Sequence, residues 1–246
     1  MKRLVSAMAG RLGYTIIPTW QMEGYAGIRH LRRVLNLLSI DMVIDVGANA
    51  GQFRDMLRGQ AGYQGHIVSF EPVPRLAQAL ATRAKTDPLW DVEPRALGAT
   101  PGTATFNVME NTEFSSFLSP CHDDVDIFRQ QNNVRERVDV DVTTLDIFLK
   151  EVLSQTMTKN IYVKLDTQGF DLEALKGGKV SLPHIAALQT EASVRPIYEH
   201  SPRYRDVIDH LLASGYVVSG FFPNNDGHFP QLIEFDCYMI RREFVT

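Results

Sequence analysis

The chain has 246 residues, of which 44% are hydrophobic and 22% charged, and it carries a formal net charge of −4. That length and balance fit one large α/β domain, or one domain with an extension, and not a disordered or fibrous chain. No apolar run approaches 18 residues, no block of Lys and Arg occurs, and the only cysteines, Cys121 and Cys237, lie far apart; these features argue against a transmembrane helix, a nucleic-acid partner, and a zinc cluster or disulfide framework.

The chain begins Met-Lys-Arg, but Leu4 to Gly13 is short and broken by Ser6, Gly10 and Arg11. It makes a poor secretory segment and reads as a short amphipathic helix. A cytoplasmic protein with free thiols is expected. Residues 1–40 form a helical extension in two pieces, separated by a loop from Gly13 to Gly27 that holds Pro18 and Trp20. Ile28, Leu31, Leu35 and Leu38 then follow helical spacing. The extension is expected to act as a lid or as the contact of a homodimer, with residues 41–246 forming the main domain.

A strand is expected over Met42–Val46, within the run Val43-Ile44-Asp45-Val46-Gly47-Ala48-Asn49-Ala50-Gly51, and a helix from about Gly51 to Arg58. The next strand, His66–Phe70, runs into Glu71-Pro72. In a doubly wound sheet, a glycine turn after one strand and an acid at the end of the next bind a nucleoside at the carboxyl edge. Gly47 and Gly51 allow close backbone approach, and Glu71 is placed to accept hydrogen bonds from both ribose hydroxyls. The dinucleotide pattern G-x-G-x-x-G and the Gly-Lys-Ser/Thr of a phosphate loop are both missing. Asp45 would repel a phosphate but suits the ammonium of a methionine moiety. D-x-G-x-x-x-G with a downstream Glu resembles the S-adenosylmethionine site of class I methyltransferases, and NAD is disfavoured.

Further along, Pro72-Val73-Pro74 breaks the chain before a helix over Arg75–Lys85, and a strand is expected over Asp91–Ala96, followed by Leu97 and Gly98. Thr103–Met109 and Val138–Val142 read as strands. The polar stretch 110–137 between them, with Ser115-Ser116, is an irregular insertion of the kind that covers sites. A helix starts at Thr144 with Thr143 or Thr144 as its cap. Then come a strand at Ile161–Leu165, a short helix at Phe170–Lys176, a strand at Ile185–Gln189, a helix at Arg203–Ser214, and a closing antiparallel pair at Tyr216–Phe222 and Phe235–Ile240. The fold expected is a Rossmann-like class I methyltransferase: α/β, with a seven-stranded mixed sheet and helices on both faces.

The stretch from Ile161 to Gly177, with Lys164, Asp166, Gly169, Asp171, Leu175 and Gly177, resembles the K-x-D-x-x-G-x-E/D-x-x-x-L-x-G signature of the FkbM-type methyltransferase family. The turn from Ile44 to Gly51, Phe70-Glu71-Pro72, Ala96-Leu97-Gly98, Ser115-Ser116, Thr144-Leu145-Asp146, Glu191 and Pro196-Ile197-Tyr198 fit that family's order over roughly residues 42–242. Asp171 stands where the family usually has Glu. The resemblance implies O-methylation of a hydroxyl on a sugar or natural product, with S-adenosylmethionine as cofactor. The cofactor-binding residues expected are Asp45, Gly47, Ala48, Asn49, Gly51, Glu71, Pro72, Ala96, Leu97, Ser115 and Asp166.

Lys164 and Asp166 alternate onto one face of their strand, and Glu191 ends the neighbouring strand at the same edge. Asp166, Lys164 and Glu191 are the expected catalytic residues. Asp166 and Glu191, with Asp236 as a third ligand, are expected to hold Mg²⁺ or Mn²⁺ and so activate the acceptor hydroxyl. Without metal, Asp166 serves as a base, Glu191 pairs with Arg195 and Asp236 caps a turn. Trp20 and Tyr25 either stack on a sugar or pack in the core. A small-molecule or oligosaccharide acceptor is expected, with a polyketide-like scaffold, or a non-catalytic cofactor-binding protein, as alternatives.

Overall fold

The computed structural model describes residues 8–9, 11–19, 22, 24–123, 125–154, 158–224 and 230–245. Most of the expected first helical piece lies outside the described residues, as do Trp20, Asn225, Asp226 and His228. No described helix is long and apolar enough to cross a membrane, and Cys121 and Cys237 are unpaired.

A seven-stranded mixed sheet organises the chain. In spatial order it runs β3 (Trp90–Glu93), β2 (His66–Phe70), β1 (Met42–Val46), β7 (Ile161–Leu165), β8 (Ile185–Ser193), β10 (Glu234–Arg241) and β9 (Tyr216–Pro223). The strands from β3 to β8 are parallel, and β10 runs antiparallel between β8 and β9. Buried on both faces, β1 and β7 are apolar apart from Asp45 and Lys164, as parallel central strands must be.

One face packs α1 (Tyr25–Leu37), α2 (Gln52–Met56, continued as a wider turn over Leu57–Ala61) and α3 (Pro74–Ala84), through Leu31, Val34, Leu57 and Leu80 among others. The opposite face packs α4 (Leu145–Leu153), α5 (Asp171–Lys176) and α6 (Tyr204–Ala213), through Phe148, Leu149, Leu175 and Leu211. Pro74 opens α3 at a first-turn position where no backbone N–H is needed. Thr144 caps α4 by accepting from the Ile147 N–H at 3.1 Å.

The strand expected over Asp91–Ala96 divides. Trp90–Glu93 joins the main sheet, and β4 (Ala96–Leu97) joins a separate sheet with β6 (Val134–Thr143) and β5 (Gly102–Met109). Pro94 lies at the break, where it cannot donate to a ladder. β6 starts four residues before the expected Val138, because Met109 pairs with Val134. Its Arg135-Glu136-Arg137 stretch is exposed and carries no apolar alternation to betray it. β8 runs past Gln189 to Ser193 because β10 continues to pair there after β7 has ended.

Candidate active site

The strand order reverses direction at β1 and β7, and the functional crevice of such sheets opens at the carboxyl ends on either side of that point. There the chain forms a cavity of about 560 Å³, a size that suits a cofactor-scale ligand. The turn after β1 forms its rim. Gly47 has φ +81, and a Cβ there would fall 2.0 Å from the Asp166 carbonyl oxygen, so only glycine fits. Asn49 also has positive φ, and its N–H donates to Glu71 Oε2 at 2.7 Å. The other oxygen, Oε1, accepts from the Val73 N–H at 2.9 Å. Each carboxylate oxygen retains a lone pair for a ligand hydroxyl. Burial raises the Glu71 pKa to about 7, against the pull of those two N–H donors.

The cavity floor is built by register. Ser69, Asp45, Lys164, Gln189 and Tyr238 lie side by side across five strands. Trp90 Nε1 donates to Ser69 Oγ at 3.1 Å, and Ser69 Oγ donates to Asp45 Oδ2 at 3.1 Å. The Lys164 ammonium lies 3.4 Å from Asp45 Oδ1 and 3.2 Å from Asp166 Oδ2, and it donates to the Gly47 carbonyl at 3.3 Å. The contact with Asp45 is an ion pair, and no hydrogen bond of good geometry satisfies Oδ1. Burial would lower the Lys164 pKa, but Asp166 and Asp45 outweigh it and hold the ammonium charged.

Asp45 is fully buried and pairs with Lys164 from beneath the cavity. Gly51 likewise lies off the cavity wall, in a left-handed conformation at the start of α2. Ala48, Asn49, Glu71, Pro72, Ala96, Leu97, Ser115, Lys164, Asp166, Glu191 and Asp236 all line the cavity.

At the far end, Gln168 Nε2 donates to Asp166 Oδ1 and to Glu191 Oε2, each at 2.9 Å. Asn224 Nδ2 donates to Glu191 Oε1 at 2.9 Å. An amide therefore occupies the bridging position expected for a cation. Among the described residues no group of three or more His, Cys, Asp or Glu side chains is placed to share a metal ion. The expected set of Asp166, Glu191 and Asp236 does not fit a metal in this arrangement. Nor does Glu191 turn to Arg195, which donates to Gln231.

Sequence reading misses Glu234, a cavity-lining residue two positions before Asp236 on the same face of β10. Alternation along the last strand is the signal that points to it. Burial, then the nearby Asp166 and Asp236, raises its pKa to about 8, and burial with Asp166 raises that of Asp236 to about 7. Burial and the surrounding carboxylates push Glu191 well above the usual range.

Two segments outside the main sheet close the cavity. Thr112 Oγ1 donates to Asn49 Oδ1 at 3.2 Å, and Gln52 Nε2 donates to Glu113 Oε1 at 2.8 Å. The Tyr198 hydroxyl bonds the Phe114 carbonyl and Gln168 Oε1, both at 2.8 Å. From the other side, α1 and the residue before it bring Gly24, Gly27 and Ile28, with the His30 ring packed against Phe222 and Tyr238 at 5.2 Å. Asp171, the family departure, accepts from the Thr167 N–H, the Thr190 hydroxyl and the Glu191 N–H. It thus ties the loop after β7 to β8, beyond opening α5.

Compared with known proteins, residues 45–218 match the model of the methyltransferase FkbM domain. No curated protein sequence matches the chain. A methyltransferase FkbM structure from Methylobacillus flagellatus KT shares the fold with TM-score 0.52 and 17% identity, over 81% of this chain and 43% of that one. This chain thus spans less than half the length of that protein. A fibrillarin from Aeropyrum pernix with natively bound S-adenosyl-L-methionine aligns with TM-score 0.48 and 12% identity, over 88% of this chain and 74% of that one.

Proposed function

This chain belongs to the FkbM methyltransferase family, and on that premise we propose that it moves the methyl group of S-adenosylmethionine onto a saccharide hydroxyl. The observation that carries the cofactor half is Glu71. It is held by two backbone N–H groups at the rim of the cavity, directly beyond the glycine turn, with a free lone pair on each oxygen. Toward β3 the wall turns apolar, with Pro72, Val73, Ala96, Leu97 and Phe106, which suits a purine. Toward β8 and β10 it turns polar, with Asp166, Gln168, Glu191, Asn224 and Asp236, which suits a hydroxyl-rich acceptor.

When bound, the cofactor supplies an electrophilic methyl group on sulfur. The chain supplies the rest. Asp166, with a side chain 37% exposed and steadied by Lys164 and Gln168, accepts the acceptor's proton at a carboxylate oxygen. Lys164 holds that carboxylate in place through an ion pair at 3.2 Å. The short helix Thr112–Phe114 and α1 close the two ends and limit water. No step is routed through a metal, since Gln168 donates to both Asp166 and Glu191.

The test is transfer of radiolabelled methyl to a panel of glycans and small alcohols, by wild type and Asp166→Asn. Labelled glycan from wild type, with loss of about 10²-fold or more in Asp166→Asn, supports the reading. Labelling of alcohols only, or undiminished turnover in Asp166→Asn, sinks it.

A further inference from the structure

The cavity is lined by more carboxyl groups than methyl transfer needs. Among the described residues, its lining holds six carboxylates (Glu71, Glu113, Asp166, Glu191, Glu234 and Asp236) against one ammonium, Lys164. Lys164 is committed to Asp45 and Asp166, Glu113 to Gln52, and Glu71 to the cofactor rim. Glu191, Glu234 and Asp236 remain, gathered by register: Glu191 lies opposite Asp236, and Glu234 opposite Ser193 on the same face. Glu191 has two amide donors. Glu234 is only 6% exposed and faces the cavity, yet no described residue gives it a hydrogen bond or an ion pair. A carboxyl group this buried, with no partner among the described residues and its oxygens open to the cavity, is placed to receive a ligand donor. The same cavity is lined by Phe222 and Tyr238, packed edge to face at 5.3 Å, and aromatic rings add favourable contacts for an organic cation.

We propose that Glu234, with Asp236 and Glu191, binds a protonated amine on the acceptor, so that the substrate is an amino sugar or an equally polyhydroxylated amine. The inference rests on the saccharide reading above and names the charge that its acceptor carries. The ammonium donates to Glu234, while a neighbouring hydroxyl reaches Asp166. A hydrated metal ion is the competing occupant, and the experiment separates the two.

The test uses the full chain at about pH 7.5, where a sugar amine is still largely protonated and Glu234, with a pKa of about 8, readily gives up its proton to pair with it, with and without S-adenosylhomocysteine. Glucosamine, N-acetylglucosamine and glucose are titrated by ligand-detected NMR. Glucosamine is expected to bind about tenfold more tightly than N-acetylglucosamine, which keeps the ring and loses the charge. Glu234→Gln should erase that preference, leave S-adenosylhomocysteine affinity unchanged and not lower the melting temperature. Equal affinities, no glucosamine binding at millimolar concentration, or a preference surviving Glu234→Gln overturn the proposal. So does Glu234-dependent Mg²⁺ binding that glucosamine does not displace. The wild-type comparison needs no variant to fold. S-adenosylhomocysteine binding reports separately on the methyltransferase reading: its absence, with the amine preference intact, sinks that reading and leaves this one.

Discussion

Replacing Lys164 with Met removes the ammonium between Asp45 and Asp166 and changes the side-chain volume little. Asp45 is fully buried and Lys164 is 6% exposed, so the loss falls on an enclosed pair. Removing one partner of a buried pair costs about 3–5 kcal/mol, because the remaining charge has nowhere to go. Asp166 reaches solvent and adds little to that cost. For a domain of this size the melting temperature should fall by on the order of 10 °C. Burial already raises the Asp45 pKa while Lys164 opposes the rise; without Lys164 it rises further. An acid with a raised folded pKa keeps its stability below the unfolded pKa and loses it as pH climbs through the folded value. The deficit of Lys164→Met should therefore deepen from acid toward neutral pH. The assay is urea unfolding followed by far-UV circular dichroism, on Lys164→Met, Asp45→Asn and the double variant. The double should be less destabilised than the sum of the singles, by about 1–3 kcal/mol. A single variant within about 1 kcal/mol of wild type, or strict additivity, would refute the buried-pair reasoning.

Gly47→Ala should yield little folded protein or a sharply lowered melting temperature, since its Cβ meets the Asp166 carbonyl at 2.0 Å in a left-handed backbone; wild-type stability would contradict that close approach. The ligand-free chain should lose stability as pH rises from about 5 to 8, because Glu71, Glu234 and Asp236 hold pKa values of about 7, 8 and 7 and bind more protons folded than unfolded. Each tenfold change in proton affinity on folding is worth about 1.4 kcal/mol, so thermal scans across that window should slope plainly downward, and Glu234→Gln should make the slope shallower, with Glu71 and Asp236 still contributing; a flat wild-type profile contradicts the burial of these acids. Exhaustive chelation should leave methyl transfer intact, as Gln168 bridges Asp166 and Glu191; activity recovered only on adding Mg²⁺ or Mn²⁺ would restore the metal.

The strands flanking the site are legible in the sequence because they are continuous apolar runs between turn residues, as in Met42–Val46 and Ile161–Leu165, and their bounds agree with the structure. Glu71 and Asp166 are legible because each follows the carboxyl end of such a strand. The burial of Asp45 is not legible, because it follows from its register opposite Lys164 and Ser69, which sets it into the floor beneath the cavity. The bridge at the far end of the cavity is not legible either. Gln168 adopts positive φ and sets its amide between Asp166 and Glu191, a placement that depends on the path of the loop after β7 and not on any spacing of residues. Glu234 escapes because the apolar pattern predicts a strand beginning at Phe235, one residue too late. The contribution of α1 to the cavity depends on Gly27 lying against Phe222, a contact across nearly the whole chain.

S-adenosylmethionine should bind in a pocket built on Glu71, and isothermal titration of the wild type and Glu71→Gln tests this directly. One site for S-adenosylmethionine is expected, with no binding of NAD and an affinity about tenfold or more weaker in Glu71→Gln, as the loss of hydrogen bonds to a charged group requires. Binding of NAD in preference, or equal S-adenosylmethionine affinity in both proteins, would contradict it.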